Sequence, residues 1–132
     1  AECLEKNHRW SVENADTKED GVLAERCAVR LCLTHMEELG CFGGLLRVNG
    51  AVAAYTVGER LNSDTVVVHF EKAFSRIQGA YPAINREFLS RMCRDYAYVN
   101  REEDLGIEGL RRAKESYHPA FLVTKYGVTL AK

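Results

Sequence analysis

Apolar residues recur along this chain with two different periods, and the changes of period divide it into elements. From Thr17, the residues Leu23, Cys27, Ala28, Leu31, His35 and Leu39 return at helical spacing until Gly40 stops them, predicting an amphipathic helix of about 20 residues with that stripe facing the core. Thr17 with Asp20, or Asp16 with Glu19, has the pattern of an N-terminal cap. Leu45–Val48 and Val52–Val57 flank Asn49-Gly50, the pair that best suits a two-residue hairpin because both turn positions need positive φ. A second turn at Leu61-Asn62-Ser63-Asp64 leads into Thr65–Lys72, so the middle of the chain is a three-stranded antiparallel meander.

The helical period returns over Ile77–Arg94, with Ala80, Ile84, Phe88, Leu89 and Met92 on one side and Pro82 tolerated in the first turn. Tyr96–Asn100 is a short aromatic strand. Its expected place is parallel to Thr65–Lys72, because strand, helix, strand makes a right-handed crossover. A charged loop, Arg101–Gly106, precedes a short helix containing Ile107, Leu110 and Ala113 that ends near Tyr117. Phe121–Tyr126 is predicted to be a last strand, which Val128–Leu130 extends or pairs with. Residues 1–16 hold only Leu4, Trp10 and Val12 as a short apolar set and are expected to be a linker or the end of a preceding helix, with the domain itself at 17–132.

Composition narrows the class without changing this outline. At 132 residues, 46% apolar and 28% charged, the chain is long enough for one self-sufficient core. No apolar run approaches the roughly 18 residues a membrane span needs, and residues 1–10 lack the order of a signal peptide, so the expected location is cytoplasmic. Five cysteines without a C-x-x-C pair read as reduced thiols, and the four histidines have no metal-ligand spacing. Residues 1–38 carry five Lys/Arg against nine Asp/Glu, whereas residues 39–132 carry thirteen against ten. That is no basic stripe for DNA, and it suits one small polyphosphate or the end of a larger nucleic acid.

Candidate chemistry gathers around Thr65–Glu87. A strand that passes through a glycine turn into a helix presents backbone N–H groups to an anion. His69 and Glu71 lie next to that junction, and strict alternation would put them on one face of the strand. There they suit a general base and an anchor for a substrate ammonium, or else a satisfied hydrogen-bonded pair. Arg76 suits a phosphate through its planar fork, or else solvent. The run Asn100–Asp104 stands at the carboxyl end of a parallel strand, where α/β sheets bind ligands; Asp104 alternatively caps the next helix.

This order of elements resembles the GNAT acyltransferase fold, an α/β (α+β) mixed sheet with an antiparallel meander, a parallel crossover and flanking helices. Arg76-Ile77-Gln78-Gly79-Ala80 looks like the GNAT phosphate loop, with Tyr81 where Gly or Ala is usual and Pro82 removing an amide. His69-Phe70-Glu71-Lys72-Ala73, Gly79-Ala80-Tyr81-Pro82-Ala83-Ile84-Asn85, Asn100-Arg101-Glu102-Glu103-Asp104-Leu105-Gly106 and Ser116-Tyr117-His118-Pro119 resemble the C-terminal domain shared by phosphatidylglycerol lysyltransferases and uncharacterised bacterial proteins. The likeness covers about residues 17 to 126. It implies transfer of an acyl group, with aminoacyl-tRNA or acyl-CoA as donor, a lipid or peptide acceptor, and an upstream GNAT-like domain in the same protein. No further cofactor is implied. By the resemblance His69, Glu71 and Tyr117 are the expected catalytic groups, with Tyr117 as general acid. Arg76, Gly79 and Ala80 would hold the donor phosphates, and Asn100, Arg101, Glu102, Asp104 and His118 would line the cleft. An acetyl-CoA-dependent N-acetyltransferase and a non-catalytic binding or assembly domain stand as alternatives.

Overall fold

The Asn-Gly turn forms as expected: Asn49 (φ 50) and Gly50 (φ 81) connect β1 (Cys41–Val48) to β2 (Ala51–Arg60). The second turn leads from β2 into β3 (Thr65–Ala73), and both pairings are antiparallel. The helix α3 (Ala80–Met92) then crosses to β4 (Tyr98–Asn100), which runs parallel to β3 with Thr65, Val66 and Val67 opposite Tyr98, Val99 and Asn100. The sheet order is β1-β2-β3-β4. The computed structural model describes residues 1–13 and 19–130, so the caps expected at Asp16 and Thr17 lie outside the described residues.

The chain divides into two compact units, residues 1–102 and 103–132. In the first, successive residues of β2 alternate between two apolar layers. Tyr55 and Val57 pack with Val29 and Cys32 of α2 (Glu19–Thr34), while Ala54 packs with Ala73, Ala80 and Ile84 on the α3 side. Val66, Val68, Phe88 and Cys93 continue the α3 layer. The buried stripe of α2 is thus Val29 and Cys32, flanked by Leu33 and Met36; Leu23 and Leu31, expected in the core, are 60% and 59% exposed. Both stripes obey the helical period, and packing selects the one beside Glu25, which pairs with the buried Lys72 of β3.

Residues 2–13 form a helix, α1 (Glu2–Glu13), that joins this core. Its buried Asn7 accepts a hydrogen bond from the Tyr55 hydroxyl at 2.9 Å, and Ser11 Oγ donates to the Asn7 carbonyl at 2.8 Å. Burial pushes the Tyr55 phenol well above its ordinary range, so it remains a neutral donor. All five cysteines are free thiols, and the Cys32 thiol donates to Cys41 Sγ at 3.7 Å.

The second unit contains α4 (Glu108–Glu115). Residues 119–130 form no strand, contrary to the pattern of Phe121–Tyr126; Leu122, Tyr126, Val128 and Leu130 are all more than four-fifths exposed. Alternation shows which residues can share a strand face, but a strand exists only where a second edge completes its ladder.

Candidate active site

The register of β2 against β3 breaks at the residue of greatest interest. Val57 lies opposite Phe70, and the next pair is Gly58 with Val68, so His69 is an inserted residue, a β-bulge. The insertion shifts the alternation by one. Phe70 packs against the α2 layer, and His69 falls on that same side, where it meets Glu59. Glu71 turns to the opposite face and meets Asn85 of α3. The expectation that His69 and Glu71 share a face is therefore corrected: period 2 holds only while the ladder is unbroken.

His69 lies between two carboxylates. Its Nδ1 is 2.9 Å from Glu102 Oε1 and its Nε2 is 3.1 Å from Glu59 Oε1. Burial by itself would lower its pKa, but the hydrogen bonds to Glu102 and Glu59 outweigh that and leave it raised. Both ring nitrogens are donors only in the imidazolium, the form that this pair of acceptors favours. Glu102 is aimed by its own turn: Asn100 Oδ1 accepts the Glu102 N–H at 2.7 Å, and Glu102 has φ 55.

On the other face, Glu71 Oε1 accepts from the Arg101 guanidinium at 2.7 Å and Oε2 accepts from the Asn85 amide at 3.2 Å. The Glu71 side chain is only 9% exposed and that of Arg101 22%. A charge so deeply placed is tolerated when its partners remain in position.

β4 pairs with β3 only as far as Val67 and Asn100, whereas β3 continues to Ala73. Past Val67 the chain leaves β4 through Arg101 and Glu102, so the strands part beside the bulge. There the link from β3 to the chain after β4 is made by side chains, Glu102 to His69 and Arg101 to Glu71.

The expected phosphate loop is weaker. Gly79 takes the left-handed conformation (φ 79) and caps α3, which is what its place in the motif requires. The Ala80 N–H, however, donates to the Ile77 carbonyl at 3.2 Å, and Pro82 has no N–H. The Arg76 guanidinium lies 5.0 Å from the Phe74 ring centroid.

Three of the expected site residues belong to the second unit. Asp104 accepts the Gly106 N–H at 2.8 Å and pairs with Arg111 at 2.6 Å, and the Arg111 hydrogen bond followed by that of Gly106 holds its carboxyl below the usual carboxylate range. Tyr117 and His118 follow α4 in a turn, their N–H groups donating to Lys114 and Glu115, and His118 has φ 53. Two residues of the first-unit cluster were not anticipated from sequence, Glu59 and Asn85. Asn85 ends the Gly79–Asn85 string, and its place beside Ile84 and one turn before Phe88 was the available signal. Glu59 becomes adjacent to His69 only through the bulge.

A mixed four-stranded sheet with an antiparallel meander and a parallel β3–β4 pair, flanked by helices, is the GNAT-like fold, and with the family match it makes this an acyltransferase-like domain. A ribosomal-protein-alanine N-acetyltransferase from Brucella melitensis biovar Abortus 2308 superposes with TM-score 0.59 over 97% of this chain and 94% of its own, at 13% identity, a likeness of fold. The chain belongs to the phosphatidylglycerol lysyltransferase C-terminal family, whose model matches residues 1–129. A conserved protein of unknown function from Bacteroides thetaiotaomicron VPI-5482 is 48% identical, with TM-score 0.85 over 92% of this chain. The match spans only 41% of that longer chain. No curated protein matches. Among the described residues no helix is long and apolar enough to cross a membrane, and no group of three or more potential ligands could hold a metal ion.

Proposed function

We propose that this domain transfers an aminoacyl group from tRNA to a hydroxyl or amine of a lipid or peptide acceptor, in the cytoplasm. The observation that carries the reading is His69, held between Glu59 and Glu102 on the bulge just past the end of the β3–β4 pairing. An acidic rim favours a donor whose acyl group carries an ammonium, which an aminoacyl ester has and an acetyl thioester lacks. The Ala80 N–H taken by Ile77 and the missing N–H of Pro82 argue the same way, because a coenzyme diphosphate would use amides at the start of that helix.

In this scheme the aminoacyl carbonyl lies between the parted strands, and a backbone N–H freed by the bulge stabilises the oxyanion. Glu102 holds Nδ1–H of neutral His69, and Nε2 exchanges Glu59 for the acceptor. The acceptor oxygen or nitrogen forms the new bond to the carbonyl carbon as its proton passes to Nε2. Collapse of the tetrahedral species breaks the bond to the ribose oxygen, which takes that proton back. Glu71 and Arg101 fix the far side of β3.

The direct test is incubation with labelled aminoacyl-tRNA and candidate acceptors, with acetyl-CoA in parallel. Label transferred to a lipid or peptide, and greatly reduced by His69→Ala, supports the reading. Transfer from acetyl-CoA but from no charged tRNA overturns it.

A further inference from the structure

A second cluster lies at the end of β3, outside the residues the reaction uses. Phe74 is buried, and three cations converge on its ring: Lys6 Nζ at 5.4 Å from the centroid, Arg9 Cζ at 5.9 Å and Arg76 Cζ at 5.0 Å. Lys6 and Arg9 come from α1, and Arg76 comes from the loop after β3. None of the three makes an ion pair among the described residues. The nearby carboxylate of Glu2 is taken by Arg47, and Lys72, over Trp10 at 3.6 Å, is neutralised by Glu25.

Like charges gathered on one ring repel one another. Cation–π attraction offsets only part of that at solvent-facing sites, roughly 0.5–1 kcal/mol each. Three cations so near one centroid form a compact cationic cluster, a feature suited to recruiting an anion. Of the three, only Arg76 was expected at a phosphate; Lys6 and Arg9 belong to the acidic end of the chain.

Distance narrows the choice of anion. Five residues of strand separate His69 from Phe74, which at about 3.3 Å per residue is roughly 17 Å. Nucleotides stacked at about 3.4 Å per step cover that span in roughly five steps. We propose that Lys6, Arg9 and Arg76, gathered on Phe74, bind successive phosphates of a single-stranded RNA end whose terminal ester reaches His69. This rests on the aminoacyl-tRNA reading and adds where the RNA is held.

The test measures binding separately from transfer. The full chain is titrated with a short single-stranded oligoribonucleotide and with inorganic pyrophosphate over a range of salt. Three phosphate contacts predict a slope of log K against log salt near −2, about a tenfold loss from about 50 to about 150 mM salt. Each of Lys6→Gln, Arg9→Gln and Arg76→Gln reduces the slope by about 0.7, and Lys6→Arg, Arg9→Lys and Arg76→Lys preserve it. Circular dichroism of every variant excludes unfolding as the cause of lost binding. RNA affinity unchanged in the triple Gln variant overturns the proposal, as does a failure to bind RNA. Pyrophosphate bound as tightly as RNA also overturns it, since the patch would then read one diphosphate. RNA binding without aminoacyl transfer preserves this inference and refutes the function; transfer with an unaltered RNA KM in the triple variant does the reverse.

Discussion

The two faces of β3 at the bulge use charge in opposite ways. Glu71, 9% exposed, is held by Arg101 and Asn85 against α3, whereas His69, 28% exposed, is held by Glu59 and Glu102 at the rim. Positions two residues apart on one strand thus carry a buried pair whose loss destabilises the fold and an accessible group whose protonation can change. Depth decides which: removing one member of a buried pair strands the other in low dielectric, while a rim charge is screened by water.

The difference can be broken most severely from the buried side. Glu71→Ala leaves Arg101 without its carboxylate and should lower unfolding free energy by about 3 kcal/mol in urea titrations. A loss below about 1 kcal/mol would remove the contrast between the faces. Next in size, His69→Ala should reduce transfer about 100-fold, equivalent to roughly 2.7 kcal/mol of barrier, while shifting stability by less than about 1 kcal/mol. Equal damage to folding and transfer would make His69 structural.

Gly58→Ala tests the bulge that separates the faces. A Cβ there would lie 2.5 Å from the Val67 carbonyl oxygen, so β2 and β3 must shift, at about 2 kcal/mol by the usual cost of overpacking. Because the shift falls beside His69, transfer should decline along with the urea midpoint. Full activity in a destabilised Gly58→Ala protein would separate the bulge from the chemistry.

The smallest effect is one of pH, and its sign is fixed. The folded pKa of His69 lies above the unfolded value, so its contribution to stability is complete below the unfolded pKa and is lost as pH rises through the folded one. Between about pH 6 and pH 8 the urea midpoint of the parent should therefore fall relative to that of His69→Gln. Transfer, which needs the neutral imidazole, should rise over the same interval. The Cys41 thiol does not confuse this window, since burial pushes it up to about 11. Stability and activity moving in the same direction would refute the assignment of His69 as base.

Much of this architecture was legible along the chain. Asn49-Gly50 fixed a hairpin because few residue pairs accept positive φ twice, and the meander, the α3 crossover and parallel β4 followed from local period and chirality. Motif strings identified the family, and His69, Glu71, Asn100, Arg101 and Glu102 were named with them. What the chain concealed depends on counting across strands and choosing among equal helix faces. One inserted residue reversed the relation of His69 to Glu71 and brought in Glu59. The α2 helix offered Leu23 and Leu31 as readily as Val29 and Cys32, and only the sheet chose between them.

By itself, then, the sequence determined the elements whose signals are local: turns, periods, and the glycine that caps α3. Tertiary structure alone decided the bulge register, the buried stripe of α2, the coil state of 119–130 and the meeting of Lys6 and Arg9 with Arg76 on Phe74. The reason is range. A turn or period is set by neighbours a few residues apart, whereas a register, a buried face or a cluster of charges exists only when segments distant in sequence compete for the same surface.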